Sequence, residues 1–228
     1  MTRMLASVKD PAEAAKALTG GADIIDCKDP ARGALGALPP RVIERIVTRV
    51  ARRRPVSATI GDVPAIPTAL CAGVVRTAAC GVDYVKLGFF EEAPLAACLA
   101  ELAPLARGLS LIAVFFADRF VPRARLAEVA AAGFAGVMLD TADKQAAPLP
   151  QLLDRQTYTD FVATARELGL LTGLAGRLQP EHLPELLPAR PDYLGFRSAL
   201  CPDGRNGALS GDAMALVRAQ LGAGVAAG

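Results

Sequence analysis

The sequence predicts an α/β fold, a single (β/α)8 TIM-type barrel over residues 1–228. Three observations carry the prediction. Short β-like runs alternate strictly with longer helical runs, the pattern of a parallel sheet covered by helices. No Pro/Ser-rich linker divides the chain, so one catalytic domain is expected. Its 228 residues suit one barrel and suffice to bury a full core. An open doubly wound sheet is the structural alternative, but no G-x-G-x-x-G follows the first strand.

The elements follow in order. Met4 to Val8 reads as strand one. A helix from Pro11 to Leu18 ends at Gly20-Gly21. Asp23 to Lys28 is strand two, polar at its end. After a Gly/Pro-rich loop, Arg41 to Arg53 is an amphipathic helix with Val42, Ile43, Ile46, Val47 and Val50 on one side. Pro55 to Ile60 is strand three, followed by a helix from Thr68 to Ala79. Asp83 to Gly88 is strand four, followed by a helix from Ala93 to Ala106. Leu109 to Phe116 is strand five, and Arg125 to Ala132 a helix capped by Gly133. Gly136 to Thr141 is strand six, with a long Pro-containing loop behind it. Tyr158 to Leu168 is helical and Leu170 to Gly173 is strand seven. A short helix spans Pro180 to Leu187. Asp192 to Arg197 is strand eight, and Gly211 to Leu221 a terminal helix whose last residues are expected to fray.

Composition excludes several function classes. The formal net charge is +2, and no broad basic field points to a nucleic-acid or membrane partner. Alanine-rich stretches are interrupted by charges, and Met1 to Asp10 lacks the apolar core of a signal peptide. A cytoplasmic protein is expected. The five cysteines contain no C-x-x-C and read as free thiols; with His182 the sole histidine, no metal site is expected.

Lysine usage is the most telling feature. Of 25 basic residues, 20 are arginine and five are lysine: Lys9, Lys16, Lys28, Lys86 and Lys144. A guanidinium stays charged in a protein, whereas an amine can lose its proton and react. Lysine is therefore expected where that chemistry is needed.

In barrels of this type the active site lies at the C-terminal strand ends. Strand two ends Asp26-x-Lys28, strand four carries Lys86, strand five ends at Asp118, and strand six ends at Asp140. Lys144 follows in the next loop, where a solvated charge is the default. Lys9 and Lys16 read as solvated. Asp26 and Lys28, two residues apart, share one face of their strand. Even-numbered strands contribute to common layers, so Asp26, Lys28, Lys86 and Asp140 should converge. Such a cluster suits carbonyl chemistry. An amine attacks an aldehyde only when neutral, and a second cation nearby or partial desolvation favours that form. Lys86 could play that cation to Lys28, or the reverse. The carboxylates could then move protons. The competing possibility is a buried ion-pair network that only orders the barrel top.

The loops after strands seven and eight are the usual phosphate site of such barrels. Here they contain Ala175-Gly176 and Arg197-Ser198, then Gly204-Arg205-Asn206-Gly207. Glycine lets backbone N–H groups approach an anion, and arginine adds charge-assisted bonds. Ser57, Asp118, Ala175, Gly176, Arg197 and Ser198 make up the expected substrate- and phosphate-binding set. Other features carry less. Arg52-Arg53-Arg54 reads as a helix end at the bottom face, His182 as structural, and Cys27 as packed behind its strand.

Several blocks together resemble one family. They are Gly20-Gly21-Ala22-Asp23-Ile24-Ile25-Asp26-x-Lys28, Val56 to Pro64, Asp83 to Gly88, Met138 to Ala142 with Lys144, and Leu174-Ala175-Gly176. The chain is similar nearly end to end to (5-formylfuran-3-yl)methyl phosphate synthase, an enzyme of methanofuran biosynthesis. Its arginine- and alanine-rich composition resembles the branch found in methylotrophic bacteria. The resemblance implies condensation of two glyceraldehyde 3-phosphate molecules to a furan aldehyde, with loss of one phosphate and water. It implies that Lys28 forms the Schiff base and that Asp26, Lys86, Asp140 and Lys144 are its acid–base partners. No cofactor is then required, a small phosphorylated aldehyde is the partner, and a homo-oligomer is expected. The chain departs from the family pattern between Asp118 and Ala135 and in the loop after Lys144. A class I aldolase acting on another sugar phosphate is the alternative activity, and a non-catalytic metabolite-binding barrel the alternative of another class. A decarboxylase motif Asp-x-Lys-x-x-Asp is ruled out because position 31 is alanine.

Overall fold

Eight parallel strands close into a barrel in the computed structural model, which describes residues 1–223 apart from 93, 144 and 146. The strands are β1 (Arg3–Val8), β2 (Ile24–Cys27), β3 (Val56–Thr59), β4 (Tyr84–Phe89), β5 (Leu111–Phe116), β6 (Gly136–Asp140), β7 (Leu171–Leu174) and β8 (Tyr193–Phe196). They pair in sequence order, and β1 also pairs with β8. All eight predicted strands are present, within one or two residues at their ends.

Helices cover the outside: α1 (Pro11–Thr19), α2 (Pro40–Val50), α3 (Pro67–Ala78), α4 (Leu95–Ala106), α5 (Leu126–Ala131), α6 (Leu149–Leu152), α7 (Arg155–Glu167), α8 (Leu183–Leu186) and α9 (Gly211–Ala223). The predicted helix start at Ala93, and the fraying predicted after α9, fall outside the described residues. The sequence predicts only a loop through Pro148 and Pro150, where the structure forms the short α6. The predicted helix from Pro180 to Leu187 is divided between 3-10 turns and α8, and His182 Nδ1 accepts from Gln179 N at 3.0 Å, a capping role.

Strand periodicity sorts the core into two layers. Outward residues such as Met4, Ala6, Ile25, Leu87, Phe115 and Leu139 pack under the helices. Inward residues such as Leu5, Ile24, Ile112, Met138 and Tyr193 fill the lower barrel. Cys27 is outward and buried, as expected, and burial pushes its thiol pKa up.

The bottom face is stitched by aspartates lying just before strands. Asp23 accepts from Met4 N at 2.8 Å, Asp83 from Val56 N at 2.7 Å, and Asp192 from Thr172 N at 2.8 Å. Each satisfies a backbone amide in the first two residues of a neighbouring strand. At the top face two aspartates hold loops instead. Asp62 accepts from Ala34 N and Leu35 N at 2.8 and 2.6 Å, fixing the loop after β2. Asp118 accepts from Ala142 N and Asp143 N at 2.7 and 2.8 Å, fixing the loop after β6.

Candidate active site

Register builds the centre of the site. In the β1–β2–β3 ladder, Ser7 lies opposite Asp26, and Asp26 opposite Ser57. Parallel partners point the same way, so three polar side chains stand in one inward row. Both hydroxyls donate to Asp26, Ser7 Oγ at 2.9 Å to Oδ2 and Ser57 Oγ at 2.6 Å to Oδ1. Lys86, inward on β4, completes the group with Nζ 2.7 Å from Asp26 Oδ1; the two side chains are 2% and 1% exposed. Burial would push the Asp26 pKa up. Lys86 and Lys28, with hydrogen bonds from Lys86 and Ser57, outweigh it and hold the carboxyl below its usual 3.8.

Lys28 continues the same face of β2 one step higher. Its Nζ lies 3.1 Å from Asp140 Oδ2 at the end of β6, and its side chain is 11% exposed against 5% for Asp140. Asp140 Oδ1 accepts from Thr141 N at 2.8 Å. A cavity at the barrel mouth is lined by Lys28, Asp26, Lys86, Asp140, Gly176 and Ser198, among others. Two lysines and two carboxylates therefore face one cavity, with Lys28 the more open lysine. Gly195 helps keep this space: a Cβ there would lie 3.0 Å from Met138 Cε and 3.1 Å from Ala175 Cβ.

The structure brings together Asp26, Lys28, Lys86 and Asp140, as the strand parity predicts. Lys144 lies outside the described residues. Ser57 and Asp118 are not among the residues lining the cavity, whereas Ala175, Gly176, Arg197 and Ser198 are. Ser57 is buried beneath the mouth, beside Tyr84 and Tyr193, and is spent on Asp26. Asp118 is spent on the amides of the loop after β6. Ala175 lines the cavity, but its N–H is taken by Leu139 O at 2.7 Å, so it has no amide for an anion. Gly176, at φ +104, and Ser198 do line the cavity. Arg197 has all five N–H groups engaged by protein acceptors: both Glu13 oxygens and the carbonyls of Ser7, Arg205 and Gly207. It lines the cavity while its guanidinium ties the loop after β8 to Glu13 and β1.

The sequence alone does not single out Ser7 or Arg177, and points to Arg205 only as part of its loop. Ser7 shares the inward parity of Leu5, a signal available in strand one. Arg177 and Arg205 line the mouth from the loops after β7 and β8; the sequence points to both loops through their glycines and Arg197. Lys9, read as solvated, donates to Asn206 O at 2.7 Å.

Comparison with known proteins bears on this cluster. A sequence profile of 4-HFC-P synthase matches residues 4–218. The chain belongs to the 4-HFC-P synthase family. It is 44% identical over 201 residues to a Methylorubrum extorquens protein provisionally named (5-formylfuran-3-yl)methyl phosphate synthase, covering 87% of this chain and 82% of that one. It is 37% identical over 214 residues to the (5-formylfuran-3-yl)methyl phosphate synthase of Methanopyrus kandleri, covering 89% and 90%. The higher identity to the Methylorubrum protein supports the methylotrophic-bacterial branch of the family. Solved structures give the fold alone. Phosphoribosyl anthranilate isomerase from Thermus thermophilus superposes with a TM-score of 0.66 at 18% identity, covering 97% and 99% of the two chains. Thiamine phosphate pyrophosphorylase from Pyrococcus furiosus gives 0.67 at 13% identity, covering 98% and 96%. Among the described residues, no helix is long and apolar enough to cross a membrane.

Proposed function

We propose that the protein is a (5-formylfuran-3-yl)methyl phosphate synthase, condensing two glyceraldehyde 3-phosphate molecules through a Schiff base on Lys28. The observation that carries this is the Lys28–Asp140 pair facing the mouth cavity, 3.1 Å apart, above a separately buried Lys86–Asp26 pair. Family membership supplies the reaction class.

The two pairs divide the work. Asp26 is held as a carboxylate and already accepts from Ser7, Ser57 and Lys86. It fits an anchor that holds Lys86 in place below Lys28. Asp140 is the carboxylate beside the reacting amine. Lys28 sheds a proton to attack the aldehyde carbon, and Asp140 is placed to receive it. The carbinolamine then loses water to give the imine. Asp140 returns the proton to the departing hydroxyl, which leaves as that water, and the regenerated carboxylate can take the α-proton of the imine to form the enamine that adds to the second aldehyde. Gly176 and Ser198 lie where a phosphate would approach the mouth.

Product analysis tests this reading. Glyceraldehyde 3-phosphate alone should yield a furan aldehyde chromophore together with released inorganic phosphate. A linear or cyclic hexose phosphate as the sole product would assign the chain to simple aldol chemistry instead.

A further inference from the structure

The loop after β8 is pinned in an unusual way. Its three successive carbonyls at 205, 206 and 207 accept from Arg197 Nε at 2.7 Å, Lys9 Nζ at 2.7 Å and an Arg197 terminal nitrogen at 2.7 Å. Both cations meet on Glu13, a buried carboxylate of α1: Arg197 at 2.5 Å, Lys9 at 3.9 Å. Glu13 is in turn placed by its position in the first turn of α1, whose N-cap Asp10 accepts from Glu13 N at 2.8 Å.

What the clamp presents is the Arg205 side chain. It lines the same cavity as Lys28 and Asp140. Among the described residues its guanidinium reaches one acceptor, Gly33 O, at a long 3.5 Å. Burial, with Arg197 and Arg177 nearby, lowers its pKa against the opposing pull of Asp140 and Asp62. A half-buried fork with cationic neighbours and little hydrogen bonding is relieved by an anion with several acceptor oxygens.

We infer that Arg205 is the side chain that binds the substrate's phosphate at the cavity mouth, presented there by the Glu13–Arg197–Lys9 clamp. Arg205 lines the same cavity wall as Lys28 and Asp140, so an anion held by its guanidinium lies beside the reacting amine. The inference deepens the phosphorylated-aldehyde reading and rests on it for the identity of the ligand.

Titration of the protein with inorganic phosphate at low ionic strength, followed by calorimetry, tests it without any aldehyde. Failure of furan synthesis and failure of this inference are thus read in separate experiments. The wild type should bind phosphate, and Arg205→Gln should weaken it about ten- to a hundredfold, the range for losing a bidentate charge-assisted contact. Arg205→Lys keeps the charge without the fork and should fall between the two. No phosphate binding by the wild type, or equal affinity in the wild type and Arg205→Gln, would overturn the inference.

Discussion

Lys86→Met isolates the physical role of the buried pair. The substitution keeps the length and apolar stem of Lys86 and removes its ammonium. Asp26, 1% exposed, is then left with the Ser7 and Ser57 hydroxyls as its neighbouring donors. Removing one partner of a buried ion pair costs about 3–5 kcal/mol, because the remaining charge is uncompensated. For a chain of this size each kcal/mol shifts the melting temperature by about 2–4 °C, so a fall of roughly 6–20 °C is expected. The loss should also depend on pH. Without Lys86, burial raises the Asp26 pKa, and protonation relieves the stranded charge. The variant should therefore be less destabilised at pH 5 than at pH 8. Calorimetric melting of the wild type, Lys86→Met, Asp26→Asn and the double variant measures both effects. The double variant should recover much of the loss, since neither charge is then stranded. A shift below about 2 °C that is equal at both pH values would refute the claim that Lys86 compensates a buried carboxylate.

Three further outcomes are expected. Lys28→Arg should fold with an unchanged melting temperature within about 2 °C yet lose turnover, since a guanidinium does not form the imine; substantial retained activity would remove Lys28 as nucleophile. Gly176→Ala should cost about 1–3 kcal/mol in a melting experiment, because φ +104 is strained for alanine and its Cβ would lie 2.7 Å from Thr141 Cγ2; a neutral substitution would contradict this. Asp26, with a folded pKa depressed below 3.8, contributes stability that is present above 3.8 and lost as pH falls through the folded value. Acid melting curves of the wild type should thus drop more steeply below 3.8 than those of Asp26→Asn/Lys86→Met; parallel curves would count against it.

Much of this arrangement was legible because strands obey a period of two. Asp26 and Lys28 share a face by spacing alone, and eight alternations placed Lys86 and Asp140 opposite them. Pairing between distant residues was not legible. Arg197 stands at a strand end as Lys28 does, and only the structure shows Glu13, 184 positions away, taking its guanidinium. A carboxylate on the helix face that also buries Ala14 and Ala17 was the available signal, because such a charge needs a partner. The partners of Asp118 and Ser57 were not legible for a related reason. A polar residue at a strand end can face substrate, cap a loop or support a neighbour, and spacing does not separate these. Asp118 caps a loop, as Asp62 does, and Ser57 supports Asp26.

The central claim is that Lys28 is the amine that meets the aldehyde. Borohydride reduction in the presence of glyceraldehyde 3-phosphate, followed by peptide mapping, tests it directly. A covalent adduct on Lys28, absent in Lys28→Arg, is expected. An adduct on Lys86 alone, or no adduct in the wild type under turnover, would contradict it.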